Sequence, residues 1–176
     1  MIFTETPLKG AFLIDLEPHQ DTRGFFARSF CRREFEAYGL APDIAQRNFS
    51  FNRTAGTLRG MHFQKAPASE AKVVRCLRGR IHDVIVDLRP ESQTFGKHFA
   101  VELSGENLRA LFVPESFAHG FQSLVDETLV EYQMSEYYAP ELGSGFRYDE
   151  SAFAITWPLQ VAIISEQDLA WPAFSP

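Results

Sequence analysis

The sequence predicts a mainly β fold: an antiparallel sandwich or barrel, of the double-sheet jelly-roll type at this length, with a few short helices. Three observations lead there. Short runs of alternating apolar and polar residues recur with turn residues at close intervals. Only one segment reads convincingly as a helix. The crossover helices that a parallel sheet requires cannot be found.

That helix runs from Ser29 or Phe30 to Tyr38, with Phe35 and Tyr38 on one side, charged residues on the other and Gly39 as its stop. Next, Thr57 to Gln64 leads into a strand. Lys72 to Leu77, then Arg78-Gly79-Arg80, then Ile81 to Leu88 reads as strand, tight turn, strand, because β-branched residues flank a glycine-bearing connection. In the second of these strands His82, Val84, Val86 and Leu88 share one face and Ile81, Asp83, Ile85 and Asp87 the other, so both faces are partly apolar. Phe99 to Leu103, Leu108 to Val113 (stopped by Pro114), Phe117 to Leu124 and Thr128 to Met134 continue the series. No repeat or linker divides the chain. We expect one domain over residues 1–176, with the Pro- and Trp-bearing segment 157–176 wrapping the body.

Composition narrows the function. The chain has 176 residues, 45% hydrophobic and 23% charged, which excludes disordered, collagenous and coiled-coil classes. Seventeen Lys and Arg stand against 23 Asp and Glu, a net charge of −6, so no global positive field draws in nucleic acid or an anionic membrane, and an anionic ligand needs a local Arg/Lys cluster. No apolar run approaches the roughly 20 residues that span a bilayer. Glu5, Pro7 and Lys9 interrupt the start where a signal peptide is apolar, and a cytoplasmic location is expected. Two cysteines, Cys31 and Cys76, are too few for a Cys zinc site and too far apart for a C-x-x-C pair. The 17 Phe suit a lined pocket, a dimer interface or plain core filling.

Several residues could carry chemistry. In Leu58-Arg59-Gly60-Met61-His62-Phe63-Gln64, His62 and Gln64 share a strand face. His119 sits between Pro114 and Gly120 as a second imidazole, either hydrogen-bonded in a turn or facing a pocket. Tyr132 and Tyr138 lie on one face if the strand runs through, as core residues or as pocket phenols. Lys72 and Asp83 both have inward parity, which is expensive unless they satisfy each other. Asp168, in Ser165-Glu166-Gln167-Asp168, would ordinarily be a solvated turn residue.

In this order and at these separations, the segments resemble the dTDP-4-dehydrorhamnose 3,5-epimerase family. The resemblance runs through Asp21-Thr22-Arg23-Gly24-Phe25-Phe26, Gln46-Arg47-Asn48, Leu58 to Gln64, Lys72-Val73-Val74-Arg75, Asp83 to Arg89, Phe117-Ala118-His119-Gly120-Phe121, Tyr132 to Pro140, Trp157-Pro158 and Ser165 to Asp168. It covers nearly the whole chain. The resemblance implies a cupin-type jelly roll, and a reaction that removes a proton beside the keto group of a nucleotide-linked 4-keto-6-deoxyhexose and returns one to the opposite face, at C5 and C3.

Carried over residue by residue, the resemblance implies His62 as general base, Asp168 as the carboxylate fixing its tautomer and Tyr132 as the acid across the ring. It implies Lys72 as the donor to the enolate oxygen, with Asp83 holding the ammonium and His119 adding a polar contact. Arg23 and Arg59 would meet the pyrophosphate. Phe26 and Tyr138 would line the base pocket, and Gln46 and Asn48 would contact the nucleotide. Neither a metal nor an organic cofactor is then required. Family members are homodimers that lend residues across the interface, so the first strands here would serve the neighbour's site.

Three positions depart from the family pattern. Arg28 stands where Glu is common, Gly143 where a Glu usually falls, and Gln167 where Lys often precedes the terminal Asp. They leave open an epimerase acting at one carbon or on another nucleotide. Two further readings compete: a metal-dependent cupin using His62, Gln64, Glu70 and His119, although Gln is a poor replacement for imidazole, and a nucleotide-sugar binding protein that has lost turnover.

Overall fold

The segment around Ile81 to Asp87 is buried on both faces, which requires a layer on each side of it. A computed structural model, describing residues 1–41 and 43–174, shows how those layers arise. The strands are β1 (Ile2–Glu5), β2 (Phe12–Asp15), β3 (His19–Asp21), β4 (Gly24–Phe26), β5 (Gln46–Asn52), β6 (Leu58–Gln64), β7 (Lys72–Arg78), β8 (Arg80–Asp87), β9 (His98–Ser104), β10 (Ala110–Val113), β11 (Phe117–Ser123), β12 (Thr128–Met134) and β13 (Gly143–Gly145). Two short α-helices, α1 (Arg32–Ala37) and α2 (Glu166–Leu169), and a 3-10 turn over Pro140–Leu142 complete the set among the described residues. A six-stranded sheet in the order β1-β2-β10-β7-β12-β5 faces a five-stranded sheet in the order β13-β6-β11-β8-β9, and β3 and β4 form a separate hairpin. The pairing between these strands is antiparallel throughout. The mainly β, jelly-roll expectation is met.

Between the sheets lies a core of Val74 and Cys76 from β7, Ile81 and Ile85 from β8, Leu111 and Val113 from β10, Phe117 and Phe121 from β11, and Val130 from β12. The other face of β8, Val84 and Val86, packs with Met61, Ala118, Phe146 and Phe153, against which Trp157 and Phe174 also lie. Residues 175 and 176, included in the expected wrapping segment, fall outside the described residues. On the far side of the six-stranded sheet, Phe35 of α1 packs with Phe3, Ile14, Val73 and Phe112. Burying such a Phe contributes about 2–3 kcal/mol, which fastens this short helix to the sheet. The helix is shorter than the expected span from Ser29 or Phe30 to Tyr38. Cys31 at its N-cap supplies no side-chain hydrogen bond, and Tyr38 already leaves helical geometry before Gly39 at φ +69°.

The Arg78-Gly79-Arg80 turn does not close a hairpin. β7 pairs with β10 and β12, whereas β8 pairs with β11 and β9, so the chain turns a corner from one sheet into the other. Gly79 makes that corner possible: its φ is +79°, and a Cβ there would lie 2.4 Å from the Thr128 hydroxyl oxygen.

β5 escapes recognition in the sequence because its pattern is inverted. Asn48, Ser50 and Asn52 pair across from Tyr132, Val130 and Thr128 of β12, while Phe49 and Phe51 are exposed. Its polar face therefore looks inward, where one end of the sandwich is hollow.

Candidate functional site

The hollow is a cavity of about 520 Å³, within the range of small-molecule sites. The six-stranded sheet supplies Asn48, Ser50, Lys72 and Tyr132 to its lining. The five-stranded sheet supplies Arg59, His62, His119 and Phe121. Tyr138, Pro140, Gly143 and Ser144 border it after β12, and Gln167, Asp168 and Trp171 come from the α2 region.

Arg59 and His62 are three residues apart, a spacing that puts side chains on opposite faces of a regular strand. Here they share a face because the β6–β11 register shifts: His62 pairs with His119, but Phe121 pairs with Arg59. The extra residue is accommodated at Gly60, with φ +131°, where a Cβ would come within 2.5 Å of the Gly120 Cα. Two glycines in close contact thus aim an arginine and a histidine into one space.

Asp168 is brought to His62 by α2. Ser165 is the N-cap, its hydroxyl oxygen accepting the Asp168 N–H at 3.1 Å, so a short S-x-x-D cap turns the carboxylate inward. Asp168 Oδ1 lies 2.5 Å from His62 Nε2, and Oδ2 accepts the Gly60 N–H at 3.4 Å. Burial alone would raise the Asp168 carboxyl, but the His62 imidazole, the Gly60 N–H and Ser165 outweigh it and hold the group below its usual range. Asp168 therefore stays ionised, accepts a hydrogen bond from the His62 Nε2–H and leaves the Nδ1 lone pair free to accept a proton. The expected solvated turn residue is instead 4% exposed.

Tyr132 stands on the facing wall. Burial and the nearby Asp83 carboxylate push its phenol well above the ordinary tyrosine value, against smaller opposing effects of Arg59 and Ser50. It is a neutral proton donor at physiological pH. His119 approaches it edge-on, with ring centroids 6.0 Å apart.

The expected Lys72–Asp83 pairing does not occur. Lys72 pairs with Glu70 at 2.9 Å, and Asp83 pairs with His119 Nε2 at 2.8 Å. The reason is topological: β7 and β8 belong to different sheets, so Asp83 meets His119 on its true neighbour β11, while Glu70, two residues before Lys72 in the connection into β7, reaches it. Asp83 is fully buried behind His119 and is not part of the cavity wall.

Other expected residues are distributed unevenly. Arg59 donates from Nε to Asn52 Oδ1 at 2.8 Å. Gln46 is not among the lining residues and accepts the Tyr138 N–H at 2.9 Å, tethering that rim segment. Arg23 and Phe26 sit on the exposed β3–β4 hairpin, Arg23 paired with Asp21, and neither lines this chain's cavity. Gln64 is structural: its amide donates to the carbonyls of Ala68 and Tyr137 and accepts the Ala139 N–H. The H-x-Q pair therefore offers no second metal ligand, and among the described residues no three His, Cys, Asp or Glu side chains gather as a metal site.

Sequence reasoning missed Ser50, Trp171 and the pairing of Glu70. The Trp171 ring meets His62 edge-on at 6.2 Å. The Ser165-to-Asp168 spacing, a recognisable capping signal, could have placed Asp168 on a helix.

A family profile described as dTDP-4-dehydrorhamnose 3,5-epimerase matches residues 5–176. The chain belongs to this family. A dTDP-4-dehydrorhamnose 3,5-epimerase from Methanothermobacter thermautotrophicus is 44% identical over 172 residues, covering 96% of this chain and 92% of that protein. Among solved structures, the dTDP-4-dehydrorhamnose 3,5-epimerase of Bacillus anthracis, with TDP and PPi bound, superposes with a TM-score of 0.95 at 39% identity, covering 98% of this chain and 99% of that one. A dTDP-6-deoxy-D-glucose-3,5-epimerase of Legionella pneumophila in complex with dTDP-4-keto-L-rhamnose gives 0.89 at 38% identity, with 97% and 90% covered. The fold is thus the cupin-like jelly roll of the 3,5-epimerase family. Of the three positions read as departures in the sequence, Gly143 and Gln167 line the cavity, whereas Arg28 lies on the surface, bonded to Glu34 at 2.7 Å.

Proposed function

We propose that this protein is an isomerase that converts dTDP-4-dehydro-6-deoxyglucose to dTDP-4-dehydrorhamnose by epimerisation at C3 and C5. One observation carries the proposal: an Asp-oriented imidazole and a neutral phenol occupy facing walls of the same cavity. The C4 keto group makes the hydrogens on C3 and C5 acidic. His62 Nδ1 accepts such a proton, and Asp168 stabilises the imidazolium formed. The electron pair moves onto the keto oxygen, where the Lys72 ammonium meets the developing negative charge and His119 adds a polar contact. Tyr132 then returns a proton to carbon from the opposite side, so the centre inverts. The phenol and imidazole must exchange protons with solvent before the second carbon reacts.

Arg59 holds a pyrophosphate oxygen, with Asn48 and Tyr138 towards the nucleotide. We assign Arg23 and Phe26 to the cavity of a second copy in a homodimer, with Gln46 acting through Tyr138. The exposed Phe25, Phe26, Phe49 and Phe51 on β4 and the outer strand β5 support that interface. Residues 1–176 act as one unit, closed over β8 by the segment that carries Trp157 and Phe174. Two free cysteines suit a reducing, cytoplasmic setting, and no helix among the described residues is long and apolar enough to cross a membrane.

Incubation with the 4-keto substrate in heavy water tests the function. Deuterium at both C3 and C5 with the rhamno product is expected. Exchange at one carbon would make this a monoepimerase, and tight binding without exchange would make it a binding protein.

A further inference from the structure

We propose that Glu70 is a positioning residue for the reaction, the side chain that fixes the Lys72 ammonium against the cavity so that it meets the enolate oxygen. The inference rests on the epimerase reading above. Glu70 stands two residues before Lys72, in the connection that leads into β7. Both line the cavity, both are more than nine-tenths buried, and Nζ lies 2.9 Å from Oε1. The backbone between them is pinned: the Ala71 N–H donates to Ser135 Oγ at 2.8 Å, and the Ser135 N–H donates to the Ala71 carbonyl at 3.0 Å. The pair is therefore carried by a fixed strand entrance.

Other carboxylates near the reacting space are engaged elsewhere: Asp168 on His62 and Asp83 on His119. Glu70 is the one carboxylate among the described residues in a salt bridge with Lys72. Its second oxygen, Oε2, is buried and has no hydrogen-bond partner among the described residues, which leaves the group to the Lys72 interaction. A lysine has a flexible four-carbon stem and a point charge without directional preference. Without a counter-charge, a buried ammonium swings towards whatever oxygen solvates it. Asp168 borders the same cavity, and pairing there would pull it off the base.

The test is a double-mutant cycle on the full-length protein, following C3 and C5 deuterium exchange and dTDP binding. Glu70→Gln preserves shape and removes the charge. It is expected to lower kcat by roughly 10- to 100-fold, the scale of a misplaced catalytic group, with KM and dTDP affinity within about threefold. Glu70→Asp, which retains the charge one methylene shorter, should recover part of the loss. If Glu70 acts through Lys72, Glu70→Gln has no further effect once Lys72→Ala is present. Equal loss from Glu70→Gln in both backgrounds, or wild-type kcat per folded site, overturns the proposal. Should Glu70→Gln not fold, the same cycle with Glu70→Asp decides. Wild-type exchange in Lys72→Ala would instead remove the role given to Lys72, a separate failure of the epimerase mechanism.

Discussion

His62 and Asp168 are 106 residues apart in sequence and 2.5 Å apart in space. The contact joins a strand of the five-stranded sheet to a short helix near the end of the chain, and it fixes which imidazole nitrogen is free. Replacing Asp168 by Asn keeps the shape but removes the charge that stabilises the imidazolium. Carbon-proton exchange should fall by about 10²- to 10⁴-fold, with dTDP binding within a few-fold. Undiminished exchange in Asp168→Asn would show that the base does not depend on this carboxylate.

Removing the Ser165 hydroxyl should act on the same contact more gently. Ser165→Ala deletes the cap of α2 and is expected to cost about 1 kcal/mol of stability, with a loss of turnover smaller than that of Asp168→Asn. Thermal unfolding and initial rates check this. A turnover loss as large as that of Asp168→Asn, without any change in stability, would assign the hydroxyl a direct chemical part.

Gly60 should tolerate no side chain. At φ +131°, with its missing Cβ only 2.5 Å from Gly120 Cα, Gly60→Ala combines backbone strain with a clash between two sheet strands. A destabilisation of about 3 kcal/mol or more is expected, readable in urea unfolding. Unchanged stability would mean that the bulge can relax without it.

Acid stability should depend on Asp87. Burial alone would raise its carboxyl, but Arg89, Ser92 and Thr94 all donate to it and bring it down to about 2 from an ordinary 3.8. Because the folded value is depressed, the stabilisation is present above about pH 4 and disappears as the pH falls towards 2. The shift corresponds to about 2 kcal/mol. Denaturant unfolding of Asp87→Asn should show less stability than wild type at pH 6 and a flatter loss between pH 4 and 2. Parallel pH dependences would contradict the assignment.

The sequence made the central strands legible because β-branched residues cluster between turn residues, with apolar side chains on both parities in β8. β12 has the bounds Thr128–Met134 that its alternation predicts. What stayed hidden depends on contacts distant in the chain. β5 reverses the usual pattern, since the polar side of Asn48 and Ser50 faces the cavity while Phe49 and Phe51 face out. The common face of Arg59 and His62 depends on a register shift against β11 that no local periodicity encodes. Lys72 and Asp83 each have inward parity, yet parity does not reveal that their strands lie in opposing sheets, so the true partners, Glu70 and His119, emerge only from the fold.

The facing imidazole and phenol are tested most directly by comparing His62→Ala and Tyr132→Phe in heavy water, with C3 and C5 of the 4-keto substrate observed by NMR. His62→Ala should abolish exchange at both carbons. Tyr132→Phe should still exchange protons for deuterons at one face, while inversion is strongly impaired. Exchange with inversion at the wild-type rate in either variant would contradict the account.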